Sequence, residues 1–356
     1  MAFITLDEQK LKINFDHLNS FFKKQEIDWS VVTKILCGNE KYLTSLLKMG
    51  ISQYSDSRIS NLKMIKAIDS SVQTIYIKPP AKGVIKEVIK YADISMNTDI
   101  HTIEMLSEEA GKQNAVHKII IMIDLGELRE GVMREDFVYF YSKVFQLPNI
   151  EIIGLGTNLS CLYGILPNSD KLIQLSLYKQ LVEAKFNVEI PFISGGSSVT
   201  IPLVMQGLVP KGINHFRVGE TLFMGTDVYN GEKFETMEGD IFNLYAEIIE
   251  LYEKPLVPSG EMGKNLEGNI VDFDKDSYGK TTIRAIIDIG LLDIDMKHLD
   301  PTDTEIKYAG ATSDMVVLDL GENPKGYNVG DLIGFTMDYM GIVRIMNSKY
   351  IEKRIV

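Results

Sequence analysis

The chain has 356 residues, of which 45% are hydrophobic and 24% charged, the composition of an ordinary globular protein long enough for two domains. Its 37 basic against 49 acidic residues leave a net charge of −12, which argues against nucleic acid or an anionic membrane as a partner. Two distant cysteines and five scattered histidines supply neither a disulfide framework nor a metal-ligand pattern, and no metal is expected. No signal-like start and no apolar run of membrane length is found, so a cytoplasmic location is expected.

A first helix is expected around Phe15–Gln25, and apolar strands then alternate with amphipathic helices. The strand candidates are Ser30–Lys34, Gln53–Ser55, Gln73–Ile77, Asp93–Met96, Lys118–Asp124, Glu151–Gly156, Pro191–Ser194 and His215–Val218. Helix candidates between them are Glu40–Lys48, Arg58–Ile68, Lys86–Tyr91, Asp99–Ala110, Phe137–Phe145 and Leu172–Phe186, with Asn39, Ser57 and Asp99 as N-caps. Runs such as Ile119–Ile123 suit strands buried on both faces, and eight such units close most naturally into a (β/α)8 TIM-like barrel. From about Asp240 the pattern becomes mainly β: Phe242–Leu251, Thr282–Gly290, Glu305–Gly310, Met315–Leu320 and Leu332–Met337, with a long loop at Ser259–Lys280. The expected division is a barrel over residues 1–235 and a β domain over 236–356, with residues 1–12 packing against the latter.

Barrel chemistry belongs at the C-terminal ends of the strands. Lys34 stands at one such end, either as a strand end reaching solvent or as a reactive amine in a dry site, able to form a Schiff base if desolvation frees its lone pair. Arg129 is offered by a glycine-containing turn, where an ordinary surface ion pair is the competing reading. Ser194-Gly-Gly-Ser197-Ser198 combines glycines with hydroxyls at a strand-to-helix turn and suits a phosphate, with a plain glycine-rich turn carrying a serine N-cap as the competing reading. Arg217-Val-Gly219-Glu220 is a second such turn, and its arginine needs a fixed partner, of which an aromatic nitrogen is one. An imine-forming lysine, a two-part phosphate cup and an arginine for a ring nitrogen together describe pyridoxal 5'-phosphate (PLP).

With Val32-Thr-Lys34, Tyr54-Ser-Asp-Ser-Arg58, Ala92-Asp-Ile-Ser-Met-Asn97, Ile123-Asp-Leu-Gly-Glu-Leu-Arg129-Glu-Gly131, Gly154-Leu-Gly-Thr-Asn-Leu-Ser-Cys161, the two turns above and Ala309-Gly-Ala-Thr-Ser-Asp314, the chain resembles the fold-type III PLP enzymes of the alanine racemase group, in particular the ornithine racemase branch. The resemblance runs nearly end to end. It implies an isomerase interconverting L- and D-amino acids, ornithine or a related one, with PLP bound as an imine on Lys34. It further implies Arg217 at the pyridine nitrogen, Ser198 with the backbone of Gly219 and Glu220 at the phosphate, and Arg129 near the phenolic oxygen and the substrate carboxylate. Tyr339 is a further cofactor contact, and Ser197 and Asn158 stand where the group commonly has asparagine and histidine. A head-to-tail homodimer, in which Leu291, Ser313 and Asp314 act in trans, is part of the same expectation, with Asp293 as another substrate candidate.

One departure matters chemically. Where the group carries the tyrosine that serves as second acid/base, this chain has Leu291, which cannot transfer a proton. Asp293, Asp314, Tyr308 and Cys161 are the replacement candidates, each with a structural reading as turn carboxylate, cap, core aromatic and buried thiol. A PLP-homeostasis protein without racemase activity and another PLP enzyme such as a decarboxylase are the alternatives.

Overall fold

Four buried residues, Phe3–Leu6, open the chain as strand β1, and helix α1 (Glu8–Lys24) follows directly. Leu11, Phe15, Leu18 and Phe22 recur at helical spacing and form the buried stripe of α1. The helix begins earlier than Phe15 because Leu11 already belongs to that stripe and Glu8 suits the positive end of the helix dipole. The computed structural model describes residues 1–266, 268 and 270–356. They form two units: Glu8–Gly239, and Met1–Asp7 with Asp240–Val356. The expected boundary at 235 thus moves to Gly239, and the N-terminal segment of the second unit ends at Asp7 rather than residue 12, because Glu8 enters α1.

Eight parallel strands in the first unit close into a barrel in chain order. They are β2 (Asp28–Val32), β3 (Gln53–Asp56), β4 (Gln73–Tyr76), β5 (Ile94–Asn97), β6 (His117–Met122), β7 (Ile150–Gly156), β8 (Phe192–Ser197) and β9 (His215–Val218). Between and after them lie α2 (Glu40–Leu47), α3 (Ile59–Ile68), α4 (Ile85–Tyr91), α5 (Ile100–Lys112), α6 (Phe137–Val144), α7 (Ser169–Phe186), α8 (Ile201–Met205) and α9 (Glu220–Met224). Pairing of β2 with β9, from Asp28↔His215 to Val31↔Val218, completes the circle. Ile75, Ile94, Met96, Ile120 and Met122 pack together as a buried apolar cluster. Helix starts follow local chemistry: Asn39 accepts from Tyr42 N at 3.1 Å and Asp99 from Thr102 N at 2.8 Å. Ser57 does not cap α3; Arg58 holds the N-cap position, and its N–H bonds Asp56 Oδ1 at 2.8 Å. A two-strand hairpin, β10 (Thr226–Asp227) with β11 (Glu232–Lys233), follows α9.

The second unit is one antiparallel-rich sheet built on the long strand β12 (Phe242–Pro255). It contains β13 (Thr281–Ile287), β14 (Leu299–Pro301), β15 (Lys307–Ala311), β16 (Val316–Asp319), β17 (Leu332–Met337), the helix α10 (Tyr339–Asn347) and β18 (Glu352–Ile355). A bulge at Ile248/Glu250 divides β12: the part before it pairs with β1 and β17, the part after it with β13. β1 also pairs in parallel with β18, so the two ends of the chain meet in one sheet. The expected loop Ser259–Lys280 contains no strand among its described residues, and positions 267 and 269 within it lie outside them.

Candidate active site

Arg217 is 4% exposed on β9 and engaged on three sides. Its Nη1 donates to Ser194 Oγ, and its Nη2 donates to Thr157 O at 2.8 Å and to Asn158 Oδ1 at 3.3 Å. All three acceptors are neutral. Burial lowers its pKa to about 10, which still leaves it charged near neutrality. The register between β8 and β9 explains the placement: Ser194 opposes His215 and Ser197 opposes Arg217, so β8 carries one extra residue, a bulge at Gly195-Gly196. The glycine pair is therefore part of the strand rather than the turn that was expected. Gly196 has φ +137°, and a Cβ there would sit 2.5 Å from Thr200 Oγ1.

Just beyond this bulge, Ser198 is buried and its Oγ accepts from Gly219 N and Thr221 N, both at 3.3 Å, tying the turn after β8 to the turn after β9. Gly219 lies against Val32, where a Cβ would come within 3.1 Å of the valine Cβ. Thr200 Oγ1 in the same turn and Asn97 Oδ1 at the end of β5 are buried and without a hydrogen-bond partner among the described residues. Ser197, Ser198, Gly219 and Glu220 are thus brought together at adjoining strand ends.

Lys34 lies two residues past the end of β2, as the first residue of a 3-10 turn over Lys34–Leu36. It is exposed, so the dry surroundings expected for it are not provided by this chain. Its ammonium has no hydrogen bond or ion pair among the described residues. Beneath it, Asp56 is fully buried, with Oδ2 accepting from Thr33 Oγ1 at 2.8 Å and Asn61 Nδ2 at 3.1 Å. Burial pushes the Asp56 carboxyl up, offset in part by these donors, the Arg58 N–H and the Lys34 charge.

The loop after β6 folds back on itself through a bridge between Ile123 and Val132. Gly131 allows it, with φ +152° and no room for a Cβ, which would lie 2.3 Å from Asp124 N. Arg129 is exposed, and its Nε and Nη2 grip the carboxylate of Glu130, which raises its pKa further, with Cys161 adding to the effect. Cys161 is exposed rather than the buried thiol expected, and it accepts from Asn158 Nδ2 at 3.1 Å. Glu130, Cys161 and Arg129 all act electrostatically on Arg217, so Arg129, Asn158, Cys161 and Arg217 form one cluster.

Glu127 anchors this cluster, and sequence reasoning missed it. Only 2% exposed, it accepts from the backbone N–H groups of Ser160, Cys161, Leu162, Tyr163 and Ile165. Burial alone would raise its carboxyl, but these donors win and lower it to about 2. The loop carrying Cys161 is wrapped around a carboxylate. A glutamate inside Gly-Glu-Leu-Arg carries no signal of that in sequence, because its partners are some 35 residues away.

The remaining candidates belong to the sheet unit. Leu291 N and Leu292 N donate to Thr312 O and Ser313 O at 2.9 and 2.8 Å, and Gly290 lies on the Asp314 backbone with no room for a Cβ, so Leu291, Ser313 and Asp314 are neighbours. Asp314 accepts from Ser313 Oγ at 3.1 Å; Asp293 accepts from Ser348 Oγ at 2.8 Å. Tyr308 donates to Leu299 O at 2.9 Å, and burial pushes its phenol up. Tyr339 is half-buried at the first position of α10, whose N-cap Asp338 accepts from Gly341 N at 2.7 Å.

Comparison with known proteins bears on this arrangement. The chain is 36% identical over 354 residues, 99% of each sequence, to an ornithine racemase from Acetoanaerobium sticklandii. It is 33% identical over 322 residues to a lysine racemase from Thermotoga maritima, covering 90% of this chain and 89% of that one. A solved alanine racemase from Bartonella henselae with covalently bound pyridoxal phosphate superposes with a TM-score of 0.72 at 15% identity, covering 100% and 99% of the two chains. Residues 6–227 match the family described as alanine racemase, N-terminal domain, and the chain belongs to that family.

Proposed function

We propose that this protein is a PLP-dependent amino-acid racemase acting on a diamino acid of the ornithine or lysine type. The observation that carries the reading is Arg217, buried on β9 and bonded only to neutral acceptors, beside the serine–glycine cup that links the turns after β8 and β9. The site fits the cofactor on two counts: Thr200 Oγ1 and Asn97 Oδ1 are buried polar atoms lacking partners among the described residues, and Gly196 and Gly219, packed against Thr200 and Val32 with no room for a Cβ, keep the backbone of the two turns free of side chains. The related ornithine and lysine racemases support the choice of a diamino substrate.

When bound, PLP supplies an electron sink that makes the α-proton of an attached amino acid acidic. Ser197, Ser198, Thr200 and the backbone at Gly219 and Glu220 would hold its phosphate. Arg217 would face the ring nitrogen and, remaining charged, keep that nitrogen from full protonation. Asn158 acts through Arg217, since its amide oxygen is already committed there. Arg129 would take the substrate carboxylate as a fork, exchanging it for Glu130. Lys34, unencumbered at the rim, would anchor the cofactor and carry the proton on one face of the α-carbon.

We assign the second proton to Cys161. Asp293 and Asp314 are held by hydroxyl donors and Tyr308 by a carbonyl with its phenol pushed up, whereas Cys161 sits in the Arg129–Asn158 cluster. A head-to-tail homodimer bringing Leu291, Ser313, Asp314 and Tyr339 to a partner's site, and a cytoplasmic location, belong to the same proposal. Among the described residues, no helix is long and apolar enough to cross a membrane. Purified protein with PLP, incubated in deuterium oxide with L-ornithine, L-lysine, L-alanine and L-serine, should exchange Cα hydrogen fastest with the first two. Absence of exchange with all four would overturn the reading in favour of a non-catalytic PLP protein.

A further inference from the structure

We propose that His215 is a positioning residue for Arg217, acting through Ser194 along a one-way chain of hydrogen bonds that continues to Gln53 and Gln73. It rests on the reading of Arg217 as the group facing the ring nitrogen, and all five residues belong to the barrel unit. Sheet register builds the chain: Ser194 opposes His215 across β8 and β9, and Gln53 opposes Gln73 across β3 and β4.

The direction of each bond follows from the one before it. Gln53 Nε2 donates to Gln73 Oε1 at 2.7 Å, which leaves Gln53 Oε1 facing His215 Nε2 at 3.1 Å. A carbonyl oxygen can only accept, so Nε2 carries the hydrogen. His215 is completely buried, and both that burial and the charge of Arg217 hold the imidazole neutral. Nδ1 therefore presents a lone pair, and the Ser194 hydroxyl 2.9 Å away must donate to it. With its proton committed to His215, Ser194 Oγ turns its own lone pairs to Arg217 Nη1. The bonds run Arg217 to Ser194 to His215 to Gln53 to Gln73, an order in which each bond polarises the next.

Two consequences follow for the arginine. Ser194 cannot swing its proton toward the guanidinium, so the Nη1 bond is fixed in sense as well as in place. The anchor is also neutral throughout, so it orients the arginine without cancelling its charge, which a buried carboxylate in the same position would do. Ring nitrogen and arginine then meet in a geometry set from behind.

The test uses the full chain with the substitutions Ser194→Ala and His215→Phe, made singly and together. Readouts are the PLP dissociation constant by absorbance, kcat and KM for ornithine exchange, and the 15N NMR signals of the histidines in the chain without PLP. His215 should appear as the neutral Nε2–H tautomer. Each single substitution should weaken PLP binding about 10-fold, the worth of one hydrogen bond to a charged group. The same substitutions should lower kcat more than they raise KM, and the double variant should be no worse than Ser194→Ala alone, because the path is already cut. An Nδ1–H tautomer, additive losses, or a Ser194→Ala protein with unchanged melting temperature, PLP affinity and kcat would each overturn the relay. If His215→Phe does not fold, Ser194→Ala and the tautomer decide. Wild-type protein that takes up no PLP overturns the cofactor reading and the relay together; wild-type that binds it while Ser194→Ala behaves identically overturns the relay alone.

Discussion

Two corners of the same barrel rim are built in opposite ways. Arg217, on β9 beside the bulge of β8, is buried, bonded on three sides and backed by a further row of hydrogen bonds. Lys34, past the end of β2, is exposed, and its ammonium makes no hydrogen bond or ion pair among the described residues. On the proposed function the contrast is a division of labour: a group that fixes a ring must be ordered before the ring arrives, whereas a group that forms a bond and moves a proton must stay free to turn. The loop carrying Cys161 resembles the first corner in design, since Glu127 orders its backbone while leaving the thiol exposed.

Substitutions can separate these roles. Lys34→Ala should have the largest effect, cutting Cα exchange by about 10³-fold or more while changing the melting temperature little, because an exposed ammonium with no hydrogen bond or ion pair among the described residues adds only its weak attraction for Asp56. A matching loss of thermal stability would show that Lys34 is structural after all. Arg217→Lys should do the reverse in part: a point charge cannot reach three acceptors, so both PLP affinity, by about 10²-fold, and melting temperature should fall.

Glu127→Gln tests the ordered loop through pH. The carboxyl falls from 4.5 to about 2 on folding, so its stabilisation is fully present above pH 4.5 and is lost as pH falls toward 2. That interval corresponds to about 3 kcal/mol. Thermal melts from pH 6 to pH 2 should therefore show a smaller stability decline for Glu127→Gln, starting from a lower value at pH 6. A parallel decline would mean that the backbone donors do not favour the ionised form. Cys161→Ala should slow exchange about 10²-fold, the usual worth of one acid/base group, with PLP affinity retained. An unchanged rate would move the second proton to another residue, with Asp314→Asn as the next measurement. Smallest is Asn39→Ala, which removes the cap of α2 beyond Lys34 and should cost ~1 kcal/mol in denaturant melts.

Much of the barrel was legible because apolar strands and amphipathic helices leave local patterns of a few residues, and β9 was read to the residue. Strand ends were less so: β2 stops at Val32 rather than Lys34, since the Thr33 side chain and the turn after it belong to Asp56 and to a 3-10 geometry, neither of which has a pattern. The short strands β1, β14 and β18 were missed for a related reason. Four buried residues at the chain start become a strand only because β12 and β18 lie on either side of them.

The sequence by itself determined which side chains stand at the barrel rim, because order along a βα series dictates which strand end each one follows. It also supplied the glycines at 131, 195, 196 and 219 that close approach requires. Only the tertiary structure decided what those side chains do to one another. Ser194 gains a direction from His215, and His215 a tautomer from Gln53, 162 residues away in the chain. Glu127 becomes an anchor because a distant loop turns its N–H groups inward. Hydrogen-bond sense, burial and electrostatic balance are properties of neighbours in space, and the neighbours are set by closure of the barrel.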